Sequence, residues 1–347
     1  MIPASRAHRR RIRPRVPRSL LTLCVAIQLA LVAVSPGGTS ASAAVPAAPR
    51  IYVTNQLDDT VSVIDGGTHR VIATVRVGVS PAELAASADG RSVYIANTGS
   101  DTVSVLDTAD SAIARTIRLP RASKPIGLAV SPDGRSLYTA DGGADRVSVL
   151  STRTRRVVAS VRVGTQPVSV AVAPDGRRVY VANSGSDDVS VIGARTRRVI
   201  RTTPTGRFPS GVAVTPDGTS VYVTNELSGV TVIDAASGTV QARLGEPSPF
   251  SVAMSPTGDR AYVTDLGLGN LTVIDTRTHQ VAAVVGVGPI GTDPFTARAA
   301  GDAIYVANQG ANTLSIIDPS TFMATATVAT GTSPYGIAVV PAPPTSR

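Results

Sequence analysis

From residue 51 onward, short runs of mostly β-branched residues alternate with clusters of Gly, Pro, Asn and Asp. One copy shows the pattern. Residues 178–183, 189–192, 199–202 and 211–214 are strand-like, and polar turns or loops separate them. Pro216-Asp217-Gly218 then makes a tight turn into the next copy. The connections are too short for crossover helices, so neighbouring strands must pair antiparallel. Tyr52, Tyr94, Tyr138, Tyr180, Tyr222, Tyr262 and Tyr305 mark the same strand of successive copies, at spacings of 42, 44, 42, 42, 40 and 43. A period near 40 with four strands per copy is that of a β-propeller blade.

The run before each Pro-Asp-Gly turn is apolar and small, as in residues 127–130, 169–172, 251–254 and 336–339. Small side chains suit the crowded strand nearest the axis, so this run is assigned as the innermost. The tyrosine strand is then second, the Val-Ser-Val-Ile-Asp strand third, and the outer strand holds Val75 or Val161. The chain enters on a second strand at Ile51 and leaves on an inner strand at 336–340. That last strand is expected to complete the first blade and remove both open sheet edges. The fold predicted is all-β: a seven-bladed propeller of four-stranded antiparallel blades over residues 51–341, followed by a Pro-rich tail at 342–347.

These repeats, with Tyr-Val-Thr-Asn at 222–225, Val-Ser-Val-Ile-Asp at 61–65 and Pro-Asp-Gly at 132–134, resemble the YVTN family of β-propeller repeat proteins. The resemblance spans residues 51–341. Ser151, Gly193, Pro256-Thr257-Gly258 and Ala300-Gly301-Asp302 depart from it at single turns. The family resembles surface-layer proteins and, distantly, lactonase and nitrous-oxide-reductase propellers. It brings no single catalytic motif to carry over.

Residues 1–18 hold seven arginines and no acid, an apolar run fills 20–34, and Ala41-Ser42-Ala43-Ala44 follows. This order predicts a secretory signal peptide over 1–44, then a linker at 45–50. The apolar run is short for a membrane span, so a secreted or cell-surface protein with no transmembrane segment in the mature chain is expected. The net charge of +9 falls to +2 without those seven arginines, which removes the basic excess that would suggest a nucleic-acid partner. Cys24 leaves with the leader, which excludes disulfides, thiolate zinc and a cysteine nucleophile from the mature chain. A monomer is expected.

His69 and His279 are the two histidines beyond the leader, both in turns between third and outer strands. Their separation argues against Ser-His-Asp chemistry and a shared metal. The Asx residues ending the tyrosine strands recur in every blade, which marks them as structural. Informative residues break the repeat. Glutamate occurs at Glu83, Glu226 and Glu246, and lysine at Lys124 alone. Phe208, Phe250, Phe295 and Tyr335 flank the prolines that start four consecutive inner strands, with Arg207, Glu246 and Asp293 in the same loops. These aromatics predict a crescent around the top mouth, a wall for a small molecule, glycan or protein. Filling volume between blades is their plainer role, since Ile126 and Val168 hold the same slot elsewhere.

Three functions follow. The first is a non-catalytic binding propeller without a cofactor, using Phe208, Phe250, Phe295, Tyr335, Arg207 and Lys124. The second is a lactonase-like hydrolase or lyase with Glu246, Asp293, Glu226 and Glu83 as acids, assisted by Ca²⁺ or Mg²⁺. The third is a structural component of a cell-surface layer. The arginine-rich opposite face is read as a solvated mixed surface, with a weak contact to cell-wall polymer as the alternative.

Overall fold

A computed structural model of the chain describes residues 48–289 and 291–341. The expected signal peptide, the start of the linker and the Pro-rich tail lie outside the described residues. No described helix is long and apolar enough to cross a membrane.

The described residues form seven four-stranded antiparallel sheets. Blade 1 joins Pro334–Val340 to Arg50–Asn55, Thr60–Asp65 and Arg70–Arg76, from the axis outward. The closing register places Val340 opposite Arg50 and Ile337 opposite Val53. The other inner strands are Pro81–Ala86, Pro125–Val130, Pro167–Val172, Pro209–Val214, Pro249–Met254 and Pro294–Ala300, for blades 2 to 7. Each inner strand touches those of both neighbouring blades, and the C-terminal strand contacts blades 2 and 7. The expected seven-bladed architecture and its closure by the last strand are therefore observed.

The core lies between the blades. Every repeat tyrosine is buried and packs on the next blade. Tyr52 meets Val93, Ile95 and Leu106, and so on around the ring to Tyr305, which meets Ile51, Val53 and Ile64. Seven such clusters make every blade interface equivalent, so no interface is left as an open edge. The Asx residues that end the tyrosine strands are also buried. Asn55 Nδ2, for example, donates to Thr60 Oγ1 at 2.9 Å and Ser62 Oγ at 3.0 Å on the adjacent strand. The inner strands are not buried on both faces, as continuous apolarity suggested. Several of their small residues are half-buried because they line an axial channel.

Candidate functional site: the axial channel and its mouth

The channel encloses a cavity of about 480 Å³ walled by the inner strands. Most of its lining is Gly, Ala, Val and Ser, because seven strands converging on one axis leave no room for large side chains. Two charged residues interrupt the seven inner strands: Glu83 in blade 2 and Arg298 in blade 7. They flank blade 1. Arg298 pairs opposite Tyr305, where the other six blades place Ala85, Ala129, Ala171, Ala213, Ala253 and Ala338 opposite their tyrosines. Its Nε donates to the carbonyl of Ile337 at 3.3 Å, and the side chain is exposed within the channel.

Glu83 reaches toward blade 7, where Thr296 Oγ1 donates to Glu83 Oε1 at 3.3 Å. The reach crosses Gly336 of blade 1. A Cβ on Gly336 would lie 2.8 Å from the Ala82 carbonyl oxygen and 2.9 Å from Glu83 Cα, so only glycine lets these backbones approach. Loss of hydration pushes the Glu83 carboxyl above its usual range, while Arg298 and the Thr296 hydrogen bond pull it back.

Phe250, Phe295 and Tyr335 follow the prolines of blades 6, 7 and 1 and form one run of rings. Their centroids are 3.9 Å apart for Phe250–Phe295 and 4.4 Å for Phe295–Tyr335, both pairs tilted. Burial raises the Tyr335 phenol pKa, and the charges of Glu83 and Glu226 raise it further. The Tyr335 hydroxyl thus lies in the field of carboxyls from blade 2 and blade 5. Glu226 is itself raised by burial. The strand backbones beneath the rings are pinned. Thr224 Oγ1 and Ser210 Oγ each donate to the Phe250 carbonyl at 2.7 Å, and Thr264 Oγ1 donates to that of Phe295 at 3.0 Å.

Phe208 does not join these rings. It precedes Pro209, whereas the other three aromatics follow their prolines. The residue before each inner-strand proline has positive φ in all seven blades, from Ser80 to Ser333. In five of them an Asx side chain from the second–third turn latches its N–H. Asp59, Asp101, Asp145, Asp187 and Asn312 accept from Ser80, Lys124, Gln166, Phe208 and Ser333 at 2.8–2.9 Å. Phe208 and Lys124 are therefore rim residues of blades 5 and 3. Phe208 is 41% exposed, with the Arg207 guanidinium 5.7 Å from its ring centroid.

Gly229 and Gly269 replace the latching residue before blades 6 and 7, the two blades that carry Phe250 and Phe295. A Cβ on Gly229 would overlap the Leu244 carbonyl, and one on Gly269 would sit 2.7 Å from that of Gly288. The incoming loops occupy the space that the latch fills elsewhere. Asp293 belongs to the second of these loops, with φ of 47°.

Glu246 does not line the channel cavity. It neighbours Asp265, whose Oδ2 accepts from Thr272 at 2.7 Å and whose Oδ1 is buried without a partner. Burial and then the Glu246 charge raise Asp265 to about 6, against the Thr272 hydrogen bond. The equivalent Asp141 is also raised by burial, yet accepts from Ser148, Thr139 and Arg146. His279 is half-buried, its Nδ1 2.8 Å from the hydroxyl of Tyr222, which ties a turn of blade 6 to blade 5. Among the described residues no three His, Cys, Asp or Glu side chains gather as metal ligands would.

The structure therefore brings together Glu83, Phe250, Phe295 and Tyr335, with Glu226 in the charge field of Tyr335; it puts Phe208, Arg207 and Lys124 on the rim and Glu246 beside Asp265, while Asp293 holds the position before Pro294. Thr296 and Arg298 were not singled out from the sequence. Rarity flagged the three glutamates and one lysine, but arginine is abundant in this chain. The signal for Arg298 was positional: a cation inside an apolar inner-strand run.

Comparison with known proteins agrees with the fold. A family model described as YNCE-like β-propeller matches residues 15–175, and one described as lactonase, 7-bladed β-propeller, matches residues 151–242. YncE of Salmonella typhimurium and that of Salmonella typhi are each 36% identical over 52 residues, a stretch spanning 15% of this chain and 15% of each relative. Among solved structures, Kuenenia stuttgartiensis hydrazine synthase aligns with a TM-score of 0.71 at 24% identity, over 79% of this chain and 96% of that one. A functionally unknown protein from Desulfotomaculum acetoxidans aligns at 0.72 and 14% identity, over 85% and 100%. Dihydro-heme d1 dehydrogenase NirN in complex with DHE aligns at 0.62 and 17% identity, over 82% and 66%. The chain is a β-propeller repeat protein, similar to YNCE-like and lactonase-type propellers.

Proposed function

We propose that this chain is an exported, non-catalytic propeller that binds a small molecule at the aromatic mouth of its axial channel. One observation carries the reading. Within the inner strands, the charged and aromatic departures from seven-fold repetition, Glu83, Arg298, Phe250, Phe295 and Tyr335, all fall in the contiguous sector of blades 6, 7, 1 and 2. A purely structural ring has no need for that concentration. Aromatic rings beside two carboxyls, next to the channel that Glu83 lines, offer the mix of apolar area and few polar groups that suits a small organic ligand.

Saturation-transfer NMR on the full chain, with benzamide as probe, tests the reading. Transfer from protein to probe is expected, and the double variant Phe250→Val, Phe295→Val should abolish it. Blade 4 carries Val168 in that slot, so the variant should fold. Equal transfer in both proteins would remove the mouth from consideration.

The lactonase-type match supports a second reading, a propeller hydrolase. Of its four candidate acids, residues 151–242 contain only Glu226. Hydrolysis of γ-butyrolactone by the full chain, lost in Glu226→Gln with Tm unchanged, would favour it over binding alone.

A further inference from the structure

Arg298 acts on the Glu83 carboxyl through its charge, yet the repeat itself does not call for a guanidinium there. Its slot is alanine in six of seven blades, and the blade interfaces close without it. Of its five N–H donors, only Nε–H is engaged, by the Ile337 carbonyl. The ion pairs among the described residues join Asp141 to Arg146, and Asp275 to Arg260 and Arg277, so no carboxylate lies within 4.0 Å of Arg298. Among the described residues, Nη1 and Nη2 have no protein partner. The Nε contact fixes the plane of the guanidinium while both terminal nitrogens stay available, the geometry in which an arginine fork receives a two-oxygen anion.

The surroundings narrow the class. Arg298 is the one cation of the seven inner strands, so it matches a single negative charge. Glu83 stands two strand positions nearer the mouth, if both strands are counted from their prolines. A second negative charge on the ligand would meet it there. The remaining wall mixes alanine, valine, glycine, Leu128 and Met254 with the hydroxyls of Ser169, Ser251 and Thr296, which accepts a small body with polar edges. The cavity of about 480 Å³ suits a molecule of one or two rings.

We propose that the axial channel binds a small monocarboxylate, its two oxygens taken by Nη1 and Nη2 of Arg298. This rests on the reading that the channel admits a small molecule, and it adds the anchor and the charge of that molecule.

Benzoate and benzamide have nearly the same shape and differ in charge, so titration calorimetry of the full chain with each separates the two ideas. The expected result is benzoate binding at least tenfold tighter than benzamide. Arg298→Ala should bring benzoate down to the benzamide level and leave benzamide unchanged. Arg298→Lys should retain part of the preference, because lysine keeps the charge and loses the fork. Arg298→Ala copies the residue of the other six blades, and a single cooperative melt would verify its fold even if the loss of the charge beside Glu83 lowers Tm.

Equal affinities for the two probes in the native chain, or benzoate affinity unaltered in Arg298→Ala, would overturn the anchor. If benzamide still binds and Phe250→Val, Phe295→Val abolishes it, the mouth remains a site and the anchor alone falls. If neither probe binds, both proposals fall.

Discussion

Asp265→Asn is expected to stabilise this protein, although it removes a buried, hydrogen-bonded side chain. Five blades place asparagine at this position: Asn55, Asn97, Asn183, Asn225 and Asn308. Blade 6 has an acid with one buried oxygen unpartnered and, among the described residues, no cation within 4.0 Å. Its pKa rises from an ordinary 3.8 to about 6. Folding therefore favours the neutral acid. The associated stability is fully present below pH 3.8 and is lost as pH rises to about 6. The shift of about 2 units, at about 1.36 kcal/mol each, amounts to about 3 kcal/mol at neutral pH. Asparagine avoids this loss, and its Nδ2 can donate to Thr272 as Asn225 Nδ2 does to Thr231 at 3.1 Å. Urea denaturation from pH 4 to 8 should show the native chain losing stability between pH 4 and 6. The variant should show a shallower slope, the remainder coming from Glu83, Glu226 and Asp141, which burial also raises, and melt roughly 5 °C higher at pH 7. A destabilised variant, or one that keeps the slope, would refute the argument that burial without a counter-charge dominates at Asp265.

Three further outcomes follow from the same structure. Asp141→Asn should gain less than Asp265→Asn, because it relieves a buried acid but also strips the carboxylate from Arg146 and an acceptor from Ser148; chemical denaturation of the two variants side by side would rank them, and a larger gain for Asp141→Asn would refute this. Gly336→Ala should cost about 1–3 kcal/mol from its clash with Ala82 and Glu83, measurable as a fall in Tm, and a neutral result would mean the inner strands part easily. Below pH 4 the native chain should lose stability, because hydrogen bonds hold Asp89, Asp133, Asp217 and Asp259 below the usual carboxylate range and that contribution disappears as pH falls through their folded pKa values; an acid titration followed by circular dichroism checks this.

The fold was legible because every blade repeats the same solution. Tyrosine at a period near 40, a small-residue inner run and a terminal inner strand without its own blade left one way to close the ring. The site was less legible because it depends on offsets of one residue. Phe208 and Phe250 both neighbour an inner-strand proline, yet one falls on the latch position and the other on the mouth. The bulge after the proline separates those fates, and composition does not reveal it. Rarity identified Glu83 and Glu226 but gave equal weight to Glu246 and Lys124, which lie away from the axis. Arg298 needed the inner strands to be aligned on their tyrosine partners before its neighbours at that level appeared as six alanines.

The central claim is that broken symmetry in blades 6, 7, 1 and 2 marks a ligand site in the channel. A crystal structure of the full chain soaked with benzoate tests it most directly. The account predicts the carboxylate on Nη1 and Nη2 of Arg298, with the ring inside the channel on the side of Phe295 and Tyr335. A channel without benzoate in crystals that bind it elsewhere would contradict the account.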